Sequence, residues 1–350
     1  MKVIFVPPFA FSFMPPGGGV TQIVKTKQYL EQLGIDVDFW EPRSNYAVSK
    51  NVDIFHIFSS DWPFGQLAAM LKGLGYPYVV STVFYQPRWV GALAHALLSR
   101  VPLTQTAWRR RLLEQADFLL PNSHVEAKQL AHIFGLPKEK FIIVPNAVDA
   151  NFLGRDPERF RKNFLPELPL NEPFVLSVAL IERRKNTLAL IRAASKIGVP
   201  LVLIGKPLQL GKRDEKYLQD VYREIKRARK KVFIKYIGYL EHGPLLADAY
   251  AAAHVHALVS FSETPGIASL EAGLNGANLV VGALPTVLEY LGQYAWVVDP
   301  YSVKSIACGL EKALNAPRNA KKADEHIRKN FTWEKAAEKT LAAYRRVLDK

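Results

Sequence analysis

The sequence predicts an α/β protein made of two Rossmann-like domains, and three observations support this fold class. The chain has 350 residues, which suits two domains of about 150 to 200 residues each. Short apolar segments alternate with segments of helical spacing in both halves, as in parallel sheets covered on both faces. The first alternation runs from a strand through a glycine triplet into a helix. We therefore predict two parallel sheets and a cleft between their domains.

The apolar segments predict strands, and the segments with a period near 3.6 predict helices. First-half strands are predicted within residues 2–9, 35–42, 52–60, 77–85, 117–123 and 141–149. Second-half strands are predicted within residues 174–180, 200–207, 232–240, 255–260 and 277–283. Helices are predicted at residues 21–34, 64–75, 89–116, 187–198 and 267–276, with a terminal helix after Thr332.

A proline-rich segment indicates the domain boundary. Residues 165–173 read Leu-Pro-Glu-Leu-Pro-Leu-Asn-Glu-Pro, and their three prolines and lack of periodicity are typical of a linker. This places an N-terminal domain at residues 1–165 and a C-terminal domain at residues 166–331.

The chain is basic, with a formal net charge of +14, which predicts an anionic partner such as nucleic acid, a lipid surface or a phosphorylated substrate. Nucleic acid is not expected, because the sequence has no recognition-helix pattern, zinc spacing or aromatic-basic interleaving. Residues 89–113 combine Trp89, Trp108, leucines and Arg109–Arg111 on an amphipathic stretch, which is compatible with an anionic membrane surface. A helix packed on the sheet explains the same pattern equally well.

The single cysteine, Cys308, excludes an internal disulfide and a cysteine zinc site and favours a reducing compartment. We therefore expect a cytoplasmic protein, peripheral on the inner membrane face if it binds lipid. Paired prolines interrupt the apolar N-terminus, and no run of 18 apolar residues occurs, so neither a signal peptide nor a spanning helix is expected.

Two motifs predict binding of a phosphate group. Gly17-Gly18-Gly19 lies between the first strand and the first helix, where bare backbone and a helix N-terminus favour an anion. The triplet is not G-x-G-x-x-G, which weakens a nicotinamide-cofactor interpretation. The segment Glu-Arg-Arg-Lys-Asn, residues 182–186, follows a strand and precedes a helix, so its cations lie at the strand's carboxyl end. Cations there can stabilise a departing diphosphate, although a charged loop in solvent gives the same pattern.

A pair of carboxylates follows a later strand. Glu263 lies in the loop before a Pro-Gly step, and Glu271 lies in the helix that begins near Gly266. The amides of Gly266, Ile267 and Ala268 then begin that helix and face an anion. Two carboxylates suit hydrogen bonds from the hydroxyl groups of a sugar and a ribose, and a solvated helix glutamate is the alternative explanation of Glu271.

The ordered set of motifs resembles the retaining glycosyltransferases of the GT-B fold, sequence family four. The resemblance covers nearly the whole chain. The motifs that carry it are Gly18-Gly19-Val20, residues 121–127, 144–149, the cations of residues 182–186, residues 263–273, 284–292, 297–300 and the terminal segment 332–337. It implies a GT-B fold in which the terminal helix, residues 332–350, crosses back to pack on the first domain.

The resemblance also implies roles for individual residues. Glu263 contacts the hydroxyls of the donor sugar, Glu271 holds the ribose, and Lys185 binds the diphosphate. Backbone amides at Gly266, Ile267 and Ala268 and at Gly18 and Gly19 complete the phosphate site, while Lys206 and Tyr239 are weaker candidates for the nucleobase pocket. Such enzymes use no metal or other cofactor. The implied reaction moves a hexose from a UDP-sugar, or alternatively a GDP-sugar, to a hydroxyl of a glycan, lipid-linked or small-molecule acceptor, with retention of configuration.

Two departures from the family pattern leave alternatives open. An arginine is usual five positions before the lysine, but Leu180 stands there, and Arg184 or Arg183 is the available substitute. A histidine is usual after the strand at residues 77–85, where Thr82, Val83 and Phe84 stand. The alternatives are a catalytically degenerate nucleotide-binding or scaffold protein, a nucleotide-sugar epimerase, and a phosphorylase-like or dehydrogenase enzyme.

Overall fold

The computed structural model describes residues 1–8, 17–41, 51–86, 89–208, 211–264 and 266–349. The chain divides into two compact units. The first consists of Met1–Asn146 together with Trp333–Lys350, and the second of Ala147–Thr332. Each unit contains a parallel sheet, so the predicted α/β class with two Rossmann-like domains is confirmed.

The described part of the first unit contains a parallel sheet of order β2-β1-β3-β4-β5. Its strands are β1 (Lys2–Val6), β2 (Asp36–Phe39), β3 (Ile54–Phe58), β4 (Tyr78–Ser81) and β5 (Phe118–Leu119). Its helices are α1 (Gly18–Gln32), α2 (Phe64–Gly73), α3 (Trp89–Leu98), α4 (Gln105–Gln115), α5 (His124–Phe134) and, from the C-terminus, α14 (Trp333–Leu348).

The burial of each strand in this sheet follows from its position. All five residues of the central strand β3 are buried, because helices cover both faces of a parallel sheet. In the edge strand β2 only Val37 is buried, since an edge strand has a neighbour on one side. Helix α14 packs against α1, which confirms that the terminal helix returns to the first unit.

Two sequence predictions in the N-terminal half of the chain were wrong in detail. The single helix predicted at residues 89–116 is two helices, α3 and α4, because Pro102 lacks the amide that would continue α3 and Leu103 has a φ of +66°. Helix α4 packs on α2 and buries Leu112 and Leu113. Residues 141–149, all of which the structure describes, form no strand and make isolated bridges at Phe141 and Val148.

The described part of the second unit contains a parallel sheet of order β11-β10-β9-β6-β7-β8. Its strands are β6 (Val175–Val178), β7 (Leu201–Ile204), β8 (Ile234–Gly238), β9 (Val255–Leu258), β10 (Asn278–Gly282) and β11 (Trp296–Val298). Its helices are α6 (Pro157–Phe164), α7 (Thr187–Ile197), α8 (Lys212–Ala228), α9 (Pro244–Ala252), α10 (Ile267–Leu274), α11 (Pro285–Leu291), α12 (Val303–Asn315) and α13 (Ala323–Asn330). The three-residue strand β11 is too short to have been predicted from its pattern.

The predicted boundary at residue 165 was wrong, because the second unit begins at Ala147. Helix α6 packs on α9, and its Phe160 is fully buried. The buried carboxylate of Asp248 accepts hydrogen bonds from the Arg155 and Asp156 amides at 3.0 Å and also from the Arg159 guanidinium. The proline-rich segment therefore lies inside the second unit, and proline content alone does not show on which side of a boundary a segment packs.

Each unit buries a histidine within its sheet. In the first unit His56 lies between the Tyr344 hydroxyl, 2.7 Å from Nδ1, and the Ser81 hydroxyl, 2.8 Å from Nε2. In the second unit His256 of β9 is fully buried, and its Nε2 accepts a hydrogen bond from the Val178 amide at 3.5 Å. Burial disfavours the protonated imidazole and lowers the pKa of each histidine to about 3.

These two histidines predict a loss of stability in mild acid. The folded pKa lies below the unfolded value, so the unfolded chain binds more protons and folding stability falls as pH decreases from about 6.5 towards 3. Between pH 7 and pH 5 each histidine should lower the free energy of unfolding by about 2 kcal/mol. Urea unfolding at both pH values measures this loss.

The glutamine variants His56→Gln and His256→Gln should each reduce that pH dependence by about 2 kcal/mol. His132→Gln is the matched control, because the side chain of His132 is exposed. An unchanged pH dependence in the two buried variants would contradict the prediction.

Candidate functional site

The second sheet places its candidate residues where its strand order reverses. From β6 the chain continues to β7 and β8 on one side and to β9, β10 and β11 on the other. Open α/β sheets bind ligands outside the carboxyl ends of the two strands at such a point. The segment after β6 contains Arg184 and Lys185, and the segment after β9 contains Glu263, so two separate sequence motifs meet at one sheet edge.

The turn that follows β6 is attached to the loop that follows β9. Arg183–Lys185 form one 3-10 turn, and Asn186 then adopts a left-handed conformation with a φ of +59°, which asparagine tolerates better than most residues. The buried Asn186 side chain donates to the carbonyls of Val259 at 3.1 Å and Pro300 at 2.7 Å. The Phe261 amide donates to the Arg184 carbonyl at 2.8 Å. These bonds hold the cations beside the second loop.

Glu263 is the centre of this cluster. Its Oε2 forms an ion pair with Lys185 Nζ and lies 3.8 Å from Arg184 Nη1, and the Ser260 hydroxyl donates to the same oxygen at 3.3 Å. The side chains of Lys185 and Glu263 are 12% and 11% exposed. Burial alone would raise the pKa of Glu263, but the charges of Lys185 and Arg184 hold it below its usual value. The carboxylate is therefore ionised and accepts hydrogen bonds at neutral pH.

Arg184 provides a second cation beside Glu263. Its Nη2 pairs with Glu182 at 2.6 Å, and its Nη1 donates to the Ser262 carbonyl at 2.9 Å. Arg183, the other candidate substitute, and Arg184 are both exposed. Arg184 lies beside Glu263, because its Nη1 is 3.8 Å from Glu263 Oε2.

Gly266 brings the N-terminus of α10 against Glu263. Its φ is +91°, and a Cβ there would lie 2.7 Å from a Leu258 methyl and 3.2 Å from Glu263 Cγ. Ile267 and Ala268 are the first residues of α10, and amides at that position have no acceptor within the helix. The buried Thr286 hydroxyl donates to the Glu263 carbonyl at 2.5 Å. The site thus contains first-turn amides next to a fixed carboxylate, while Pro265 lies outside the described residues.

Glu271 lies about one turn further along α10 and is 5% exposed. Its Oε1 is 2.8 Å from His242 Nε2, and the His242 ring stacks on Phe152 with centroids 4.1 Å apart. Burial, followed by the charge of Glu271, raises the pKa of Tyr250 well above its usual value. Glu271 is therefore a buried carboxylate with a histidine partner rather than a solvated helix residue.

The remaining sequence-predicted residues belong to other elements of the two units. Lys206 Nζ lies 4.2 Å from the centre of the Tyr239 ring, so the ends of β7 and β8 place a cation over an aromatic face. The Lys206 carbonyl accepts from the Ile181 amide at 2.8 Å, beside the segment that follows β6. Gly18 and Gly19 are exposed at the start of α1 in the first unit, and a Cβ at Gly19 would meet no atom within 4 Å.

The sequence reasoning missed four supporting residues: Asn186, His242, Ser260 and Thr286. Asn186 immediately follows the predicted cations, and an asparagine before a helix is a recognisable signal for a left-handed turn. His242 lies just before α9 and Thr286 lies in the first turn of α11, so no local pattern near the predicted motifs pointed to them. Among the described residues, no group of three or more His, Cys, Asp or Glu is placed to hold a metal ion. None of the helices in the described ranges is both long and apolar enough to span a bilayer.

Comparisons with known proteins identify the class of this chain. The family model for glycosyl transferases group 1 matches residues 158–330, and the model for glycosyltransferase family 4 matches residues 44–152. Together the two glycosyltransferase models match most of the chain, which places it among the glycosyltransferases. The D-inositol 3-phosphate glycosyltransferase of Mycobacterium avium (strain 104) is 29% identical over 256 residues, which cover 71% of this chain and 59% of that protein. The matched segments span 52% to 59% of the lengths of such Mycobacterium relatives.

Solved structures with the same fold confirm the predicted GT-B architecture. Sucrose-phosphate synthase from Thermosynechococcus elongatus has a TM-score of 0.81 at 17% identity, with full coverage of both chains. HepE from Anabaena, crystallised with UDP and glucose, has a TM-score of 0.76 at 16% identity and 98% coverage of both chains. At these identities the likeness shows the fold.

The ion pair at Glu263 predicts a pH-dependent effect of removing Lys185. In the native chain the lowered pKa of Glu263 contributes stability above its unfolded pKa, and this contribution is lost as pH falls. Lys185→Met leaves a buried carboxylate with Arg184 alone, which should lower the free energy of unfolding by about 3 kcal/mol at pH 7. The loss should shrink towards pH 4, because the carboxyl can then bind a proton. Urea unfolding of both proteins at pH 7 and pH 4 measures the difference.

Lys162→Met is the matched control, because Lys162 pairs with Glu158 at 3.2 Å on an exposed helix surface. It should change stability by less than about 0.5 kcal/mol at either pH. An equal loss at pH 7 and pH 4 for Lys185→Met would show that Glu263 does not depend on Lys185 for its charge.

Proposed function

We propose that this chain transfers a hexose from a UDP-sugar to an acceptor hydroxyl, with retention of configuration and without a divalent metal. The observation that carries this proposal is the buried Glu263 carboxylate, held between Lys185 and Arg184 at the strand-order reversal of the second sheet. It supplies both an acceptor for sugar hydroxyls and cations for a diphosphate in one place.

The diphosphate is proposed to bind between Lys185 and the first turn of α10. The departing phosphate gains negative charge as its bond to the sugar breaks, and a nearby cation and free amides stabilise that charge. Lys185 supplies the cation, and the amides of Gly266, Ile267 and Ala268 supply the donors. Arg184 adds positive charge where Leu180 replaces the family arginine. Gly18 and Gly19 stay predicted phosphate contacts from the first unit.

The two carboxylates are proposed to fix the sugar and the ribose. Glu263 accepts hydrogen bonds from donor-sugar hydroxyls, because its lowered pKa keeps it ionised. Glu271 accepts from the ribose hydroxyls through the oxygen that His242 does not contact. Lys206 and Tyr239 present a cation and an aromatic face to the base.

The proposed reaction needs no nucleophile from the protein. The bond between the anomeric carbon and the phosphate oxygen breaks, and the acceptor oxygen bonds to that carbon on the same face. The acceptor proton passes to a phosphate oxygen of the departing nucleoside diphosphate. Lys185 stabilises the charge of the diphosphate, and Glu263 orients the sugar. Both are catalytic residues, because both contact the substrate.

The comparisons support uridine as the base of the donor. HepE was crystallised with UDP and glucose, whereas guanosine has no such support and remains the alternative. The acceptor class stays open among glycans, lipid-linked acceptors and small molecules. We further propose that the chain acts in the cytoplasm and meets an anionic membrane surface, which its charge of +14 supports.

The experiment incubates the full chain with UDP-glucose, UDP-galactose or GDP-mannose in EDTA, alone and with candidate acceptors, and follows products by ³¹P and ¹H NMR. Transfer or slow hydrolysis with a retained anomer supports the proposal. An isomerised donor would instead show an epimerase, and tight binding without turnover would show a degenerate protein. Turnover that needs added Mg²⁺ would contradict the metal-independent step.

Substitution of the three charged residues should slow transfer. Glu263→Gln, Glu271→Ala and Lys185→Ala should each lower kcat/KM at least about tenfold, which corresponds to roughly 1.4 kcal/mol of transition-state stabilisation. Arg192→Ala is the control, because Arg192 pairs with Glu224 at 3.3 Å on another surface of the same unit and is 54% exposed. Rates within twofold of the native value in all three variants, with folding intact, would refute the site assignment.

The left-handed turn at Gly266 provides a second test. Gly266→Ala strains the backbone by roughly 1 to 3 kcal/mol and also presses a methyl against Glu263 Cγ. Gly276→Ala is the matched control, because Gly276 has a φ of +76° but a Cβ there would meet its nearest atom at 3.7 Å.

Both glycine variants should lose stability, and Gly266→Ala should in addition weaken UDP binding at least fivefold in calorimetry. Equal UDP affinities for the two variants would show that Gly266 is not part of the donor site.

A further inference from the structure

Helix α3 exposes an apolar face with no charged residue. The sequence of Trp89–Leu98 contains neither an acid nor a lysine or arginine. Its described exposed positions are Val90, Leu93, Ala94, Leu97 and Leu98, all apolar. The opposite side, with Ala92 and Ala96, packs on the core of the first unit. Soluble proteins rarely leave a whole helix face apolar unless that face meets a partner or a membrane.

The apolar face of α3 continues into the turn before α4. Val101 is 49% exposed and Leu103 is 90% exposed. Leu103 has a φ of +66°, a conformation that strains a side-chain-bearing backbone by roughly 1 to 3 kcal/mol. The Thr104 hydroxyl lies 2.7 Å from the Leu98 carbonyl and 2.9 Å from the Val101 carbonyl, which holds the turn in place. The fold thus maintains a strained leucine that points into water.

Arginines border this apolar surface. A surface depression of about 490 Å³ beside the turn is lined by Arg100, Arg110 and Arg111, together with Glu114. Arg110 pairs with Glu114 at 2.6 Å, and the Arg111 guanidinium lies 5.6 Å from the Trp108 ring centre. Arg100 is exposed at the end of α3. The border therefore carries three positive charges and one negative charge.

We infer that the apolar face of α3, with Val101, Leu103 and the bordering arginines, docks the first unit on an anionic lipid bilayer. Apolar side chains enter the boundary between headgroups and acyl chains, while arginines pair with lipid phosphates at the surface. A second copy of this chain fits less well, because two surfaces with the same positive border and a net charge of +14 each repel one another. This inference specifies the membrane partner of the proposed function and does not depend on the transfer reaction.

The test is co-sedimentation of the full chain with vesicles of phosphatidylcholine alone or with 30% phosphatidylglycerol. The native chain should bind the anionic vesicles at least tenfold more tightly, and 0.5 M NaCl should weaken that binding. Arg100→Gln/Arg111→Gln should weaken it at least tenfold, since each basic residue near the surface contributes about fivefold. Leu93→Gln/Leu97→Gln should also weaken it at least tenfold.

Met70→Gln/Leu74→Gln is the matched control, because both residues are more than half exposed, Met70 on α2 of the first unit and Leu74 directly after it. It should change vesicle binding less than twofold. Leu103→Gly should weaken vesicle binding while raising stability, because glycine adopts the left-handed turn without strain. That combination separates a docking role from a structural one.

Three outcomes would overturn the inference. One is equal binding to neutral and anionic vesicles, and another is no binding to either. The third is a concentration-dependent dimer, seen by light scattering, that Leu93→Gln/Leu97→Gln abolishes. Calorimetric UDP binding, measured on every variant, should stay within twofold of the native value. If the native chain does not bind UDP, that result contradicts the proposed donor site and leaves the membrane inference unaffected.

Discussion

The second unit depends on one electrostatic constraint, which is that the Glu263 carboxylate stays ionised although it is almost entirely buried. Burial alone would favour the protonated acid, and the cations of Lys185 and Arg184 reverse that preference. The charge of each group in the cluster is therefore stabilised by a group of opposite charge. Without the lysine the carboxylate is an unpaired buried charge, and without the carboxylate two cations face each other at one sheet edge.

Backbone geometry makes this cluster possible. Parallel strands end at the same edge, so segments 78 residues apart, at Lys185 and Glu263, meet without a long excursion of the chain. The left-handed turns at Asn186 and Gly266 then aim the two loops at each other. Such ion pairs contribute little to stability relative to well-packed apolar residues, which favours a functional reason for retaining this one.

The first unit also contains features that reduce stability or solubility and therefore call for a functional explanation. A leucine in a left-handed turn and a helix with an apolar outer face both reduce stability or solubility in water. In contrast, His56 is a buried polar residue whose neighbours, Tyr344 and Ser81, satisfy both ring nitrogens. His56 is therefore accounted for by packing of the terminal helix, whereas the proposed membrane contact would account for the exposed face of α3 and for Leu103.

The sequence by itself determined the α/β class, most strands, the cationic turn, the two carboxylates and the helix that begins near Gly266, because each depends on local periodicity or on adjacent residues. The tertiary structure decided the boundary at residue 147, the break between α3 and α4, the pairing of Lys185 with Glu263 and the contact of His242 with Glu271. These features depend on which distant segments pack together and on how much water their burial removes. A local pattern contains no record of either, since the same charged or proline-rich segment can lie in solvent or inside a unit.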